Sequence, residues 1–282
     1  MLLSFINGNG ETFNIHGDYI LTPNWDLGNA PVKHQTSKAP YQDGETLIDT
    51  SFEPANPILE FAIKGSNRQQ IFDRRLIIQR HFNPKLGIGT LKWQQEDGTT
   101  YHLDCVPTKP IFPSGDGQSS SHQMVIIQLF APNPYWYDPT QIERIMIGFF
   151  GGFSFPFSFP INFGQVGTQI DVINTGTVET PIMIYLYGEV IDPTIQNLLT
   201  DEKISVIHAI ANGDILIINT AFGEKTALIL SGGEYNNAFE YVDPESVFWK
   251  LKPGINPIRY ICTSEGEHAQ CRLYYYNRFS GV

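Results

Sequence analysis

PIMIYLYGEV (Pro181–Val190) is a short apolar run that closes on turn residues, and it is one of a series. QIDVIN (Gln169–Asn174), DILIIN (Asp214–Asn219), TALILS (Thr226–Ser231), SVFWKL (Ser246–Leu251), PIRYIC (Pro257–Cys262) and CRLYYYN (Cys271–Asn277) flank it at short, fairly regular intervals. Turn residues separate them: Asn174-Thr175-Gly176, Asn212-Gly213-Asp214, Gly232-Gly233 and Pro253-Gly254-Ile255-Asn256. Strands arriving at this spacing predict an antiparallel β-sandwich over residues 165–282.

Upstream of the series lies GGFSFPFSFPINFG (Gly151–Gly164), with Phe153, Phe155, Phe157, Phe159, Ile161 and Phe163 at odd positions. Ser154, Pro156, Ser158, Pro160 and Asn162 alternate with them, so the segment repeats every two residues and reads as extended. Its prolines remove backbone donors and confine it to a sheet edge, a linker or a groove. Six apolar side chains left in water would forgo roughly 1.5–3 kcal/mol each, so this ribbon requires a cover. We read residues 151–164 as an extended linker between two domains, with Phe153, Phe155, Phe157, Phe159 and Phe163 as candidate junction or interface residues.

Residues 1–150 read as a β-rich domain with one helix. Asn7-Gly8-Asn9-Gly10 between LLSFI and ETFNI, and Asp97-Gly98 between LKWQQ and TTYHLDCV, are hairpin signals. Between them, SNRQQIFDRRLIIQRHFNP (Ser66–Pro84) predicts an amphipathic helix near 67–83. Ser66 and Gln69 have capping-box spacing, Ile71, Phe72, Leu76, Ile78 and Phe82 define the apolar face, and Asn83-Pro84 stops it. Residues 25–57 carry few apolar side chains before Leu47 and Ile48, which marks either an extended arm or an element without clear periodicity. The Gly/Ser-rich stretch within Lys109–Gln123 reads as a surface loop, followed by a strand from Met124 to Phe130.

The chain has 282 residues, 41% hydrophobic, 13% aromatic and 17% charged, a globular composition with few charges. Its net charge of -11 divides into -4 for residues 1–150 and -7 for residues 151–282, which disfavours phosphate recognition. Cys105, Cys262 and Cys271 lack metal or redox spacing and imply a reduced site of synthesis, with a Cys262–Cys271 bridge left open. The N-terminal MLLSFINGNGE shows no basic n-region, so no signal peptide and no membrane insertion are expected.

Motifs for chemistry are missing from the sequence. There is no G-x-S-x-G, phosphate loop or G-x-G-x-x-G, and the seven histidines lack metal-ligand spacing, so we expect no cofactor and no enzyme activity. Asp201/Glu202, Asp243/Glu245 and Glu265/Glu267 fall in turn contexts, the reading that competes with a glycosidase pair. Tyr135-Trp136-Tyr137 and Tyr274-Tyr275-Tyr276 offer sugar-stacking faces or core aromatics. His81-Phe82-Asn83-Pro84-Lys85 is similar to a sugar-contacting run of galectins, but Lys stands for Arg and no W-G-x-E follows, so a helix stop explains it better. Arg68, Arg74, Arg75 and Arg80 form the one basic cluster and read as solvated helix charges or as contacts with an acidic neighbouring subunit, with Arg74 and Arg75 the candidate interface residues, and nucleic-acid recognition is not expected.

Four stretches together resemble the distal tail proteins of long-tailed, non-contractile phages of Gram-positive hosts: Ala39–Gly65, Arg80–Trp93, APNPYWYDP (Ala131–Pro139) and SVFWKLKPGINPIRY (Ser246–Tyr260). They occur in the family's order, and the phenylalanine ribbon is similar to the family's domain junction. The resemblance implies a hexameric ring at the tail tip that joins the tail tube protein to the tail-associated protein and to receptor-binding or baseplate proteins. It further implies an N-terminal ring domain, a galectin-like C-terminal β-sandwich, and an arm that embraces the adjacent protomer, for which residues 25–46 are the candidate. The virion would be its location, after synthesis in the host cytoplasm. A carbohydrate-binding host-recognition protein using the C-terminal sandwich is the alternative from the binding class.

Overall fold

The computed structural model describes residues 2–28, 30–110, 121–147, 168–263 and 269–282. The chain divides into two compact units, Met1–Pro139 with Phe279–Val282, and Thr140–Arg278. Both are built almost wholly of antiparallel strands, so the fold is mainly β as the sequence predicts.

The first unit contains β1 (Leu2–Ile6), β2 (Thr12–Ile15), β3 (Tyr19–Leu21), β4 (Val32–Ser37), β5 (Thr46–Phe52), β6 (Ile58–Lys64), α1 (Arg68–His81), β7 (Gly89–Gln94), β8 (Thr100–Pro107), β9 (His122–Phe130) and β10 (Trp136–Tyr137). Its main sheet runs β2-β1-β7-β8-β9-β6-β3. Both expected hairpins form. The Asn7 side-chain oxygen accepts from the amides of Asn9 (3.1 Å) and Glu11 (3.0 Å), fixing the β1–β2 turn. Asp97 accepts from the Thr99 amide at 2.9 Å while Gly98 takes φ 90°, which closes β7 onto β8.

One face of this sheet builds the core through Phe5, Leu91, Leu103, Leu59, Phe61 and Ile127, and α1 covers it with Ile78 and Phe82. Phe82 stacks on Phe5 with ring centroids 4.7 Å apart. The helix differs from expectation in two details. Its N-cap is Asn67, whose side chain accepts from the Gln70 amide at 2.9 Å, while Gln70 reaches back to the Ser66 amide at 2.7 Å. The reciprocal cap is therefore displaced by one residue from the Ser66/Gln69 pair, because Asn satisfies the orphan amide as well as Ser does. The buried seam is Ile71, Ile78 and Phe82, whereas Phe72 and Leu76 remain 43% and 47% exposed.

The second unit contains β11 (Ile142–Ile147), β12 (Thr168–Asn174), β13 (Met183–Tyr187), β14 (Val190–Asn197), β15 (Glu202–Ser205), β16 (Ala209–Ile210), β17 (Ile215–Asn219), β18 (Thr226–Ser231), β19 (Glu234–Asn237), β20 (Gly254–Thr263) and β21 (Gln270–Tyr275). One sheet has six strands, β11-β21-β13-β17-β18-β19, and the other five, β12-β20-β14-β15 with β16 on β14. Ile184, Leu186, Leu216 and Leu273 of the first sheet share one buried cluster with Val172, Ile195, Ile204 and Ile258 of the second. That shared core makes the unit a sandwich. The final short strand, β22 (Arg278–Phe279), pairs with β10, and Phe279 packs edge-on against Tyr101 at 5.1 Å.

Two expectations are corrected here. SVFWKL forms no strand; Trp249 and Leu251 are buried as its alternation implies, Leu251 makes an isolated bridge with Thr180, and the Val247 amide donates to the Lys203 carbonyl at 2.9 Å. Trp249 instead plugs the core and donates its indole N–H to the Ile195 carbonyl at 3.4 Å. The chain also enters the second unit at Thr140, ahead of the boundary expected near 150, because β11 pairs residue by residue with β21. The ribbon residues Phe153, Phe155, Phe157, Phe159 and Phe163 lie outside the described residues. Their described flanks, Ile147 and Thr168, both belong to the second unit, and the Thr168 hydroxyl donates to the Ile147 carbonyl.

Candidate interaction surface

The strands β4 and β5 pair with one another from Val32↔Phe52 to Ser37↔Thr46 and join none of the three large sheets. Every residue of both strands is exposed. Glu53 N–H to Pro31 O, at 2.8 Å, ties the base of this hairpin, and Phe52 makes an edge-on contact with Tyr135 at 5.8 Å. Along its length the bonds are polar and local, such as His34 with the Thr50 hydroxyl at 3.1 Å. Val32, Leu47 and Ile48 nevertheless stay 46%, 58% and 60% exposed. An isolated two-stranded hairpin is marginally stable in water, so these side chains have something to gain from a covering surface. The segment expected as an arm over residues 25–46 thus holds one strand of a hairpin whose second strand extends to Phe52.

The two arginines singled out from the sequence have different surroundings. Arg74 is 18% exposed at its side chain and pairs with Asp18 at 2.6 Å, while another of its nitrogens donates to the Lys64 carbonyl. It fastens α1 to the end of β6 and to the turn before β3. Arg75 lies over the Phe72 ring at 4.9 Å, beside exposed Leu76, so helix α1 presents a small apolar and cationic patch outward. Arg80 reaches Glu11 at 2.8 Å, and a hydrogen bond from Asn7 holds the Glu11 carboxyl below its usual range.

The residues that raised chemical readings are engaged structurally. Asp243 accepts from the Glu245 amide at 2.9 Å, and Asp201, at φ 58°, accepts from the Gln196 side chain at 2.7 Å, so both act in turns. Glu265 and Glu267 lie outside the described residues. Asn83 caps a short 3-10 turn over Pro84–Leu86, accepting from the Lys85 amide at 3.1 Å, which makes His81–Lys85 a helix stop. Trp136 is buried and Tyr137 donates to Asp104 at 2.8 Å. Tyr275 is buried in the second core, while Tyr274 points away from it and donates to Glu143 at 2.7 Å. Cys105, Cys262 and Cys271 are free and buried; burial pushes the Cys105 thiol up to about 12 and raises the other two. Among the described residues no group of His, Cys, Asp and Glu is placed to hold a metal ion, and no helix is long and apolar enough to cross a membrane.

One unit is a β-sandwich, and the other is β-rich and carries a hairpin that joins none of the large sheets. Residues 175–279, all but the last of them in the second unit, match the family described as siphovirus-type tail component, C-terminal domain. The whole chain is also similar in fold to solved tail proteins. One is SPP1 Dit (gp 19.1), described as a paradigm of the hub adsorption apparatus in phages infecting Gram-positive bacteria. The TM-score is 0.70 at 10% identity, covering 99% of this chain and 100% of that one. Two others are chains from the phage P2 baseplate in its activated conformation, with Ca and with Sr. Each has a TM-score of 0.55 at 12% identity, covering 100% of this chain and 100% and 99% of theirs. No curated protein sequence matches. The resemblance to distal tail proteins is borne out by the family match over the second unit and by the fold of the whole chain.

Proposed function

We propose that this chain is a non-enzymatic ring subunit at the distal end of a siphophage tail, six copies closing around the axis. The ring joins the tail tube protein above to the tail-associated protein and the adsorption apparatus below. The observation that carries this reading is the β4–β5 hairpin, exposed on both faces and joined to none of the three large sheets. A closed ring requires a heterologous interface, with one patch on each protomer meeting a different patch on the next. The hairpin supplies one such patch, and the surface it grips belongs to the adjacent protomer. The outward patch of Arg75, Phe72 and Leu76 is a candidate for the complementary surface, as is the ribbon at 151–164. The subunit is made in the host cytoplasm and resides in the virion.

Light scattering and class averages in negative stain test the proposal. A sixfold ring supports it, and a monomer at every concentration examined refutes it.

A further inference from the structure

The tip of the β4–β5 hairpin holds a residue that its own turn does not favour. Ala39, Pro40, Tyr41 and Gln42 close a β-turn in which the Gln42 amide donates to the Ala39 carbonyl at 3.1 Å. Pro40 fills the second position and Tyr41 takes φ 63° at the third, the combination of a type II turn. That third position asks for Gly or Asn, because a Cβ at positive φ crowds the backbone. Two other non-glycine residues among those described take positive φ, Asp192 and Asp201, and a short polar side chain eases that conformation. Tyr has no such allowance. The turn is nevertheless well held: the Gln42 side chain accepts from the Ala39 amide at 3.0 Å and donates to the Thr46 hydroxyl at 3.0 Å.

Nothing in the protomer accounts for this choice. Tyr41 is 105% exposed, as bare as in an extended chain. The ladder from Val32↔Phe52 to Ser37↔Thr46 carries the tip roughly 20 Å from the base of the hairpin, at about 3.4 Å per residue. A bulky aromatic kept at a strained and uncovered position points to a contact made outside the protomer.

The chain itself presents a surface of the matching kind. Arg68, Phe72, Arg75 and Leu76 stand at i, i+4, i+7 and i+8 along α1 and so form one stripe. Phe72 and Leu76 are exposed, and Arg75 lies over the Phe72 ring. Arg74 and Arg80 have carboxylate partners, whereas Arg68 and Arg75 have no ion pair among the described residues. At the hairpin tip Asp43 and Glu45 also lack an ion pair among the described residues, and Lys38 is the single cation there. A bare aromatic beside carboxylates thus complements an apolar stripe beside guanidiniums, which also pack on aromatic faces. The two do not meet within the protomer, since both are exposed. We propose that Tyr41 is the anchor of the hairpin and seats on the stripe Arg68–Phe72–Arg75–Leu76 of a second copy of this chain, with Asp43 and Glu45 against the two guanidiniums. The inference rests on the ring reading and adds to it the anchoring residue and its seat, two different patches as a heterologous contact requires.

The test uses the full-length chain as wild type, Tyr41→Gly and Tyr41→Phe, with association followed by mass photometry over a dilution series and the protomer by thermal melting. Gly is the residue this turn favours, so Tyr41→Gly removes the anchor and keeps the turn. It should melt like wild type and associate at least about thirtyfold more weakly, the loss expected of an interface hot spot, while Tyr41→Phe keeps the ring and most of the association. Wild-type association by Tyr41→Gly overturns the proposal, and so does a lowered melting temperature, which would give Tyr41 a role in the protomer's own fold. The seat is located by replacing Tyr41 with photoreactive benzoylphenylalanine, illuminating the assembled chain and sequencing the joined peptides. Crosslinked dimers joined through residues 68–76 of the second copy support the proposal. Crosslinks to any other surface of the chain, or none, overturn it, as does a capture at position 41 that appears only when another tail protein or host-wall material is added. A wild-type chain that stays monomeric at every concentration removes the ring reading itself, an outcome distinct from a ring that ignores Tyr41.

Discussion

Replacing Leu47 and Ile48 together by Thr isolates what the β4–β5 hairpin does. Thr is β-branched and favours extended backbone, so the hairpin retains its local conformation. In the monomer the two side chains are 58% and 60% exposed and belong to neither core cluster. Their loss should therefore leave monomer stability within about 0.5 kcal/mol. In the ring, covering the exposed part of each side chain is worth about 1–2 kcal/mol, scaled from about 1.5–3 for complete burial. Two together contribute about 2–3.5 kcal/mol per interface, which is roughly a 30- to 300-fold weaker association. The assay is mass photometry over a dilution series, paired with a thermal melt of the monomer. The ring should dissociate at correspondingly higher concentration while the melt stays in place. A melting temperature lowered by several degrees with unchanged ring mass would refute the reasoning, because the hairpin would then belong to the protomer's own fold.

Three further outcomes follow from local geometry. Asn67→Ala removes the acceptor for the Gln70 amide and should cost about 1 kcal/mol, read as a lower melting temperature; an unchanged one would deny the cap its role. Gly89→Ala places a Cβ 2.3 Å from the Ile6 carbonyl oxygen and 2.6 Å from the Phe5 ring. It should cost about 1–3 kcal/mol by forcing β1 from β7, and full stability in chemical denaturation would contradict that contact. Cys105 has a thiol pushed up to about 12 by burial, so the unfolded chain ionises first, near the ordinary value of 9.0. Its contribution is intact below that pH and is lost as pH rises from about 9 toward 12. Melting temperatures across that window should fall less steeply for Cys105→Ala than for wild type, and parallel slopes would assign the alkaline loss elsewhere.

The elements legible in the sequence are those specified by rules acting within the protomer. Asn7–Gly10 and Asp97-Gly98 dictate turns through their own backbone needs, and β9 shows the apolar content its core contacts demand. Trp249 marks the limit of that logic, since an alternating run reports which side chains are buried, and pairing is a separate matter. The β4–β5 hairpin escaped a strand assignment for the complementary reason. With no buried face in the protomer, nothing imposes a two-residue period on VKHQTS or TLIDTSF. The same principle applies to the outer face of the six-stranded sheet. MIYLY, ILIIN and TALILS are apolar at positions that the sandwich core never reaches, which obscures the alternation a sheet wet on one face should show. Missing alternation therefore has two opposite meanings here. In the hairpin it reflects burial on neither face within the protomer, and in β13, β17 and β18 it reflects apolar character on both. Each departure from the expected pattern marks side chains that the protomer's own core clusters do not include.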